Sequence, residues 1–280
     1  NFSHAGYHQT YFTYVIGLVY LLWPHPETLL ILQAGFVAAA VIPLFLIARR
    51  LVGPGVAATL AVAYSLYAPA QGGIMYDFHY QPFSVFFIPL VGYLFMTRRN
   101  VALVLAVALH LSLREDMGLP LGVLAVFFAL TGQRPRVALA ILAVSLAHFV
   151  AFKFVIMPRH LGGEAAYTSM FSKLVAADVG GMAGVLVTII GNPGYLLQTL
   201  LAADRLEYVL LVFAPLAFLP LRRASGWLLL IPGVMFTLFT TGVTASLMIS
   251  FQYTALWTPF VFIGTAWALA AIEAPSRAVQ

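Results

Sequence analysis

Asp77-Phe78-His79-Tyr80-Gln81-Pro82 puts a carboxylate, an imidazole, a phenol and an amide into six residues between two apolar runs. An Asp and a His two residues apart can offer an oxygen and a nitrogen to one divalent ion, with Mg or Mn as the candidates. They can equally form an acid–base pair. The same residues also read as an ordinary helix start, with Asp77 before a proline at the first turn. Both readings stay open at this level.

A second constellation, Arg114-Glu115-Asp116, separates the apolar runs 100–113 and 117–131. Each run is shorter than the roughly 20 residues that cross a bilayer. One charge facing lipid at mid-membrane costs roughly 2.5–3.5 kcal/mol, so three must face water, a cavity or one another. The trio is either a self-paired turn, with Arg114 neutralising a carboxylate, or the lining of a site. His110 stands one helical turn earlier and could line the same cavity. His4 and His8, four residues apart, share a face if helical, but no carboxylate near them completes a metal set. His148 lies inside an apolar run and reads as a core residue. Gln252 and Tyr253 open the last apolar run, where both suit hydrogen bonding to a sugar or headgroup and Tyr253 equally suits the aromatic belt.

The elements that must position these groups are membrane helices. Of 280 residues, 62% are hydrophobic and 8% are charged, against about 45–50% apolar in soluble domains. The fold class is therefore all-α, a polytopic transmembrane helical bundle forming one integral membrane domain over 1–280. Residues 1–23 read as an outer-face or interfacial segment ended by Pro24 and Pro26. About nine spans follow by length, near 27–51, 54–71, 82–97, 100–113, 117–131, 137–157, 206–221, 226–241 and 253–272. Residues 158–205 form the longest outer loop, with short surface helices and the break Gly191-Asn192-Pro193-Gly194.

Paired basic residues mark alternate connections: Arg49 and Arg50, Arg98 and Arg99, Arg134 and Arg136, Arg222 and Arg223, then Arg277. These nine of fourteen basic residues share one side, which the positive-inside rule makes cytoplasmic. The expected location is a multi-pass cell (inner) membrane with the C-terminus cytoplasmic. Eight of the nine acidic residues, Glu27, Asp77, Glu115, Asp116, Glu164, Asp178, Asp204 and Glu207, then fall on the outer side.

Basic residues scattered as pairs at helix ends are not a nucleic-acid footprint, and no soluble protein partner is implied. The absence of cysteine excludes disulfides and thiolate metal sites. No Gly-rich phosphate loop, His-Glu-x-x-His or Gly-x-Ser-x-Gly occurs. No internal repeat of the kind that builds many secondary transporters is evident.

In order, the chain carries Pro26–Gln33, Ile42–Arg49, Asp77-Phe78-His79, Arg114-Glu115-Asp116, Asn192-Pro193, Phe218–Leu221, and Gln252-Tyr253 with Pro259-Phe260. On these motifs the chain resembles the bacterial membrane proteins grouped as the domain-of-unknown-function family 2079. Two departures stand out. Phe78-His79-Tyr80-Gln81-Pro82 replaces a Phe-His-Pro pattern, and Phe83-Ser84 replaces an acidic position. The resemblance also implies that an earlier helix and an acidic outer loop precede Asn1, so that the chain is an N-terminally truncated fragment.

That family in turn resembles the GT-C type of membrane glycosyltransferase, by analogy of fold. The resemblance implies transfer of a sugar from a polyprenyl-phosphate carrier on the outer face, often with a divalent cation. On this reading Asp77 is the base or metal-ligand carboxylate, with His79 beside it. Glu115 and Asp116 complete the catalytic set, and Arg114 pairs with them or with phosphate. Arg159, His160 and Lys173 are candidates for the lipid phosphate, and Gln252 and Tyr253 for the substrate. The alternatives are a transporter or lipid-handling protein with an outer polar cavity, and a non-catalytic membrane protein.

Overall fold

The computed structural model describes residues 8–75, 77–161, 166–176 and 178–273. His4, Glu164 and Arg277 lie outside the described residues. Every regular element among the described residues is helical.

Helix α1 (Thr13–Tyr20) is a short piece ended before Pro24. Helix α2 (Pro26–Ala39) opens on proline with Glu27 in its first turn, where a missing N–H costs no hydrogen bond. Helix α3 (Val41–Ser65) continues it and breaks at Gly53, whose φ of 80° suits glycine. Pro54 behind it disfavours a helical residue at that point. The break falls where 27–51 and 54–71 were expected to part.

Helices α4 (Ser84–Met96), α5 (Asn100–Ser112) and α6 (Gly118–Leu130) match three expected runs. Helix α7 (Pro135–Val150) runs on through a π-helical turn, Ala151–Ile156, into Met157–Leu161. Helices α8 (Gly181–Gly191), α9 (Pro193–Leu200), α10 (Ala203–Phe213) and α11 (Thr258–Glu273) complete the main set.

Pro26–Ser65, Pro135–His160 and Gln252–Ile272 are long and apolar enough to cross a membrane. Helices α8 and α9, bent by 94°, qualify together as a broken span or re-entrant loop. Asn192 makes the bend and caps α9 by accepting from Tyr195 N–H at 3.1 Å. The expected helix 206–221 is corrected. It stops at Phe213 and gives way to 3-10 turns, with Ala217 and Phe218 in left-handed conformations. Pro215 and Pro220 each lack the N–H that a continuing α-helix would need.

Over an 18-residue window, 72% of the residues are buried in Gln252–Ile272 and only 17% in Pro135–His160, so α11 is the central helix and α7 a peripheral one. Helix α11 packs on α3 and α4, and α6 lies along α7. Gly118 permits that last contact, because a Cβ there would meet Ser145 O at 2.3 Å.

The helix ends gather at two poles. At one, Arg134 donates to Phe95 O (2.7 Å) and Asn100 Oδ1 (2.5 Å), and Arg223 lies over the Trp267 ring. Trp267 meets Phe127 edge-on, so the arginine-bearing ends of α4 and α6 stand together, with Arg223 against α11. At the other pole, Phe12 packs on Phe36, Phe83 and Phe87, and the same buried cluster holds Leu113 and Met117. This aromatic cluster seats the N-terminal segment on the α5–α6 turn.

Candidate functional site

The α5–α6 turn is built to carry charge indoors. His110 is fully buried and its Nε2–H donates to Met117 O at 3.1 Å. Met117 N–H in turn donates to Arg114 O. His110 thus closes the turn from beneath; it does not line the cavity described below. Arg114 grips Asp116 with both arms, Nε to Oδ1 at 2.7 Å and Nη2 to Oδ2. The Gln81 amide oxygen, in its hydrogen-bonded orientation, accepts from Arg114 Nη2 at 3.1 Å. Gln81 is thereby the member of the 77–82 stretch that reaches the charged trio.

Glu115 is 1% exposed and is the acceptor at which three elements meet. One oxygen accepts from His8 Nδ1 (3.2 Å) and Lys153 Nζ (3.4 Å), and the other from Gln9 N–H (3.1 Å). Burial pushes this carboxyl up, but the His8 hydrogen bond and the charges of Arg114 and Lys153 outweigh it. The net result holds Glu115 well below the usual carboxylate range. Lys153 reaches it from the π-helical turn of α7, a distortion often found at functional sites. Two buried cations and two buried carboxylates leave the cluster formally neutral, as buried charge requires.

Over this charged floor lies a cavity of about 310 Å³. Its polar lining is His8, Arg114, Glu115, Asp116, Lys153 and Tyr253; the rest is apolar, including Met170, Met182 and Met235. Tyr253 lies close enough to interact with Arg114 and touches Met170 Sδ at 3.9 Å. Phe154 and Leu186 at the margin are more than half exposed, so the cavity opens sideways between α7 and α8. A charged floor with apolar walls and a lateral mouth suits an amphiphile with an anionic head.

Arg114, Glu115, Asp116 and Tyr253 are thus brought together, and the other expected residues stand apart from the cavity lining. Asp77 is exposed and accepts from Phe78 N–H at 2.7 Å. His79 is half-buried, which lowers its imidazole pKa, and its ring faces Asp77 O at 3.4 Å. Gln33, fully buried in α2, holds this loop by accepting from His79 N–H (2.7 Å) and donating to Asp77 O (3.1 Å). Arg159 and His160 are exposed at the end of α7, Lys173 lines a separate recess, and Gln252 is buried beside the cavity floor's Tyr253. Among the described residues no three His, Asp or Glu side chains converge. Any divalent ion at Asp77 and His79 would therefore take most of its ligands from water or phosphate oxygens.

Lys153 and Gln33 are the functional candidates that sequence reasoning passed over. Lys153 carried a usable signal, since a lone lysine inside an apolar run is a functional candidate by default. Gln33 is a lone amide in such a run.

A family model described as predicted membrane protein (DUF2079) matches residues 1–279. No curated protein and no solved structure matches the chain.

Proposed function

The chain belongs to the predicted membrane proteins of DUF2079, and from that premise we propose a GT-C-like glycosyltransferase that takes its sugar from a polyprenyl phosphate. The observation that carries the reading is the cavity that joins a charged floor to apolar, laterally open walls. The phosphate sits against Arg114, Lys153 and His8, sharing them with Glu115 and Asp116. The prenyl chain follows the apolar wall and leaves past Phe154 and Leu186. About nine spans with the arginine pole cytoplasmic would put this cavity on the outer face of the inner membrane.

In the transfer step the acceptor oxygen bonds to the anomeric carbon, and the bond from that carbon to the phosphate oxygen breaks. The polyprenyl phosphate leaves with the electron pair, and the acceptor proton passes to a carboxylate. Glu115 is too weak a base for this, being held in ion pairs. Asp77, exposed in the loop before α4, takes that role, with His79 beside it. Gln252 belongs with Tyr253 on the substrate side, and Arg159 and His160 meet headgroups at the membrane surface.

A second reading, lipid handling without chemistry, has one observation in its favour. The carboxylates that line the cavity are both committed to buried ion pairs. The test is incubation of the full chain in proteoliposomes with a labelled polyprenyl-phosphate sugar. A covalent product that disappears in Asp77→Ala supports the transferase. Retention of the lipid without product, weakened by Lys153→Met, supports lipid handling. Neither retention nor product overturns both.

A further inference from the structure

A second, polar recess lies behind one wall of the lipid cavity. It measures about 200 Å³ and continues past Asp204, Thr244 and Leu247 into a trough of about 440 Å³. Its wall is thin. Met170 and Phe171 face the lipid cavity, whereas Lys173 of the same 3-10 segment faces the recess. The segment is docked by backbone bonds, Thr241 N–H and Gly242 N–H both donating to Met170 O at 2.8 and 2.9 Å. Gly242 allows this approach, since a Cβ there would meet Ser169 O at 1.9 Å.

The floor is prearranged by Arg205, which is 8% exposed. Its Nε donates to Leu238 O at 2.9 Å, Nη2 to Thr240 O at 3.2 Å and Nη1 to Asp204 at 3.3 Å. A guanidinium carries five N–H donors, so it retains donor capacity toward the recess. Lys173 Nζ adds a cation. It has no carboxylate within ion-pair distance among the described residues.

The hydroxyls decide what kind of ligand fits. Thr199 and Thr240 spend their protons on Tyr195 O and Phe236 O, which leaves their oxygens as acceptors. Thr241 accepts from Lys173 N–H at 3.0 Å, which leaves its proton to donate. Asp204 is a further acceptor. A bare anion would be opposed by Asp204 and the two acceptor hydroxyls. A ligand whose own hydroxyls both donate and accept satisfies every group.

We propose that this recess binds a hydroxyl-rich, saccharide-like ligand, with its first ring over Arg205 and further units along the trough. Resting on the transferase reading, it is the acceptor side, one helical layer from the lipid-linked donor.

The test uses the full chain in nanodiscs, titrated with a panel of neutral mono- and disaccharides and, separately, with inorganic phosphate. Binding is read by saturation-transfer NMR and by thermal shift. The expected result is binding of at least one neutral sugar, weakened tenfold or more by Asp204→Asn and by Thr241→Val, and unchanged by Thr59→Val at an exposed position of α3. Both test positions lie at the rim of the recess, and the thermal shift of each variant without ligand checks its fold. No binding by any neutral sugar, or binding indifferent to both variants, overturns the proposal. So does binding of phosphate alone, lost in Lys173→Gln. Polyprenyl-phosphate retention is scored on the same preparations. Sugar binding lost with lipid retention intact fails the recess alone, and the reverse fails the lipid cavity alone.

Discussion

Two carboxylates that look alike in the sequence behave differently in the fold, because one is buried and the other is not. Asp116 is 4% exposed and holds the buried Arg114. Removing one partner of a buried pair leaves an uncompensated charge, at a cost of about 3–5 kcal/mol. Asp116→Asn is expected to lose about that much in detergent unfolding, whereas Asp77→Asn, at an exposed turn, should stay within about 0.5 kcal/mol of the parent. Glu115 adds a pH dependence. Its folded pKa is depressed, so the stability its ionisation confers is fully present above the ordinary carboxylate value of 4.5 and is lost as pH falls from there toward about 2. The gap in melting temperature between the parent and Glu115→Gln should be flat above about pH 5 and close below it. A gap that instead widens as pH falls would show that the carboxylate is not ion-paired.

Between elements, the decisive contact is α6 against α7, because it carries Lys153 to Glu115. Gly118 has no room for a methyl group against Ser145 O, while a Cβ at Gly122 would meet only Leu142 and Ser145 side-chain atoms at 3.5 and 3.7 Å. Gly118→Ala is therefore expected to cost about 1–3 kcal/mol by overpacking and to lower lipid retention. Gly122→Ala should be close to neutral in both. Equal effects in thermal unfolding would remove the close approach at Gly118 from the account. This contact also shows where legibility stops. The helices were readable because hydropathy and proline are local signals, and so was the Arg114-Glu115-Asp116 turn, because three charges between two short apolar runs need an indoor partner. The partners were not readable. His8 and Lys153 meet Glu115 across separations of 107 and 38 residues, and the π-helical turn that aims Lys153 has no sequence period of its own. Asp77 drew attention through its neighbours, yet Gln33, a single amide in α2, is what fixes that loop. The ends of 206–221 were misjudged because its apolar content outweighed Pro215 and Pro220 in a reading by hydropathy.

At the scale of the molecule, the two poles make a topological claim that can be tested. Arg134 reaches Phe95 O and Asn100, and Arg223 stacks on Trp267, so basic ends far apart in sequence share one pole. The charged turn, the N-terminal segment and Tyr253 share the other. Lys and Arg near span ends favour the cytoplasmic side, so both cavities should open on the outside. The chain has no cysteine, so single introduced thiols report sidedness without background. Met75 is 81% exposed in the connection before α4, and Gln133 lies in the α6–α7 connection beside Arg134. In intact cells, Met75→Cys should react with a membrane-impermeant maleimide, and Gln133→Cys should react only after the membrane is opened. The reversed pattern would put the lipid cavity and the polar recess on the cytoplasmic side, where a soluble nucleotide-linked donor could serve, and would remove the reason for a polyprenyl carrier. Labelling of both in intact cells would place the two connections on one side and overturn the expectation that α4, α5 and α6 each cross the membrane.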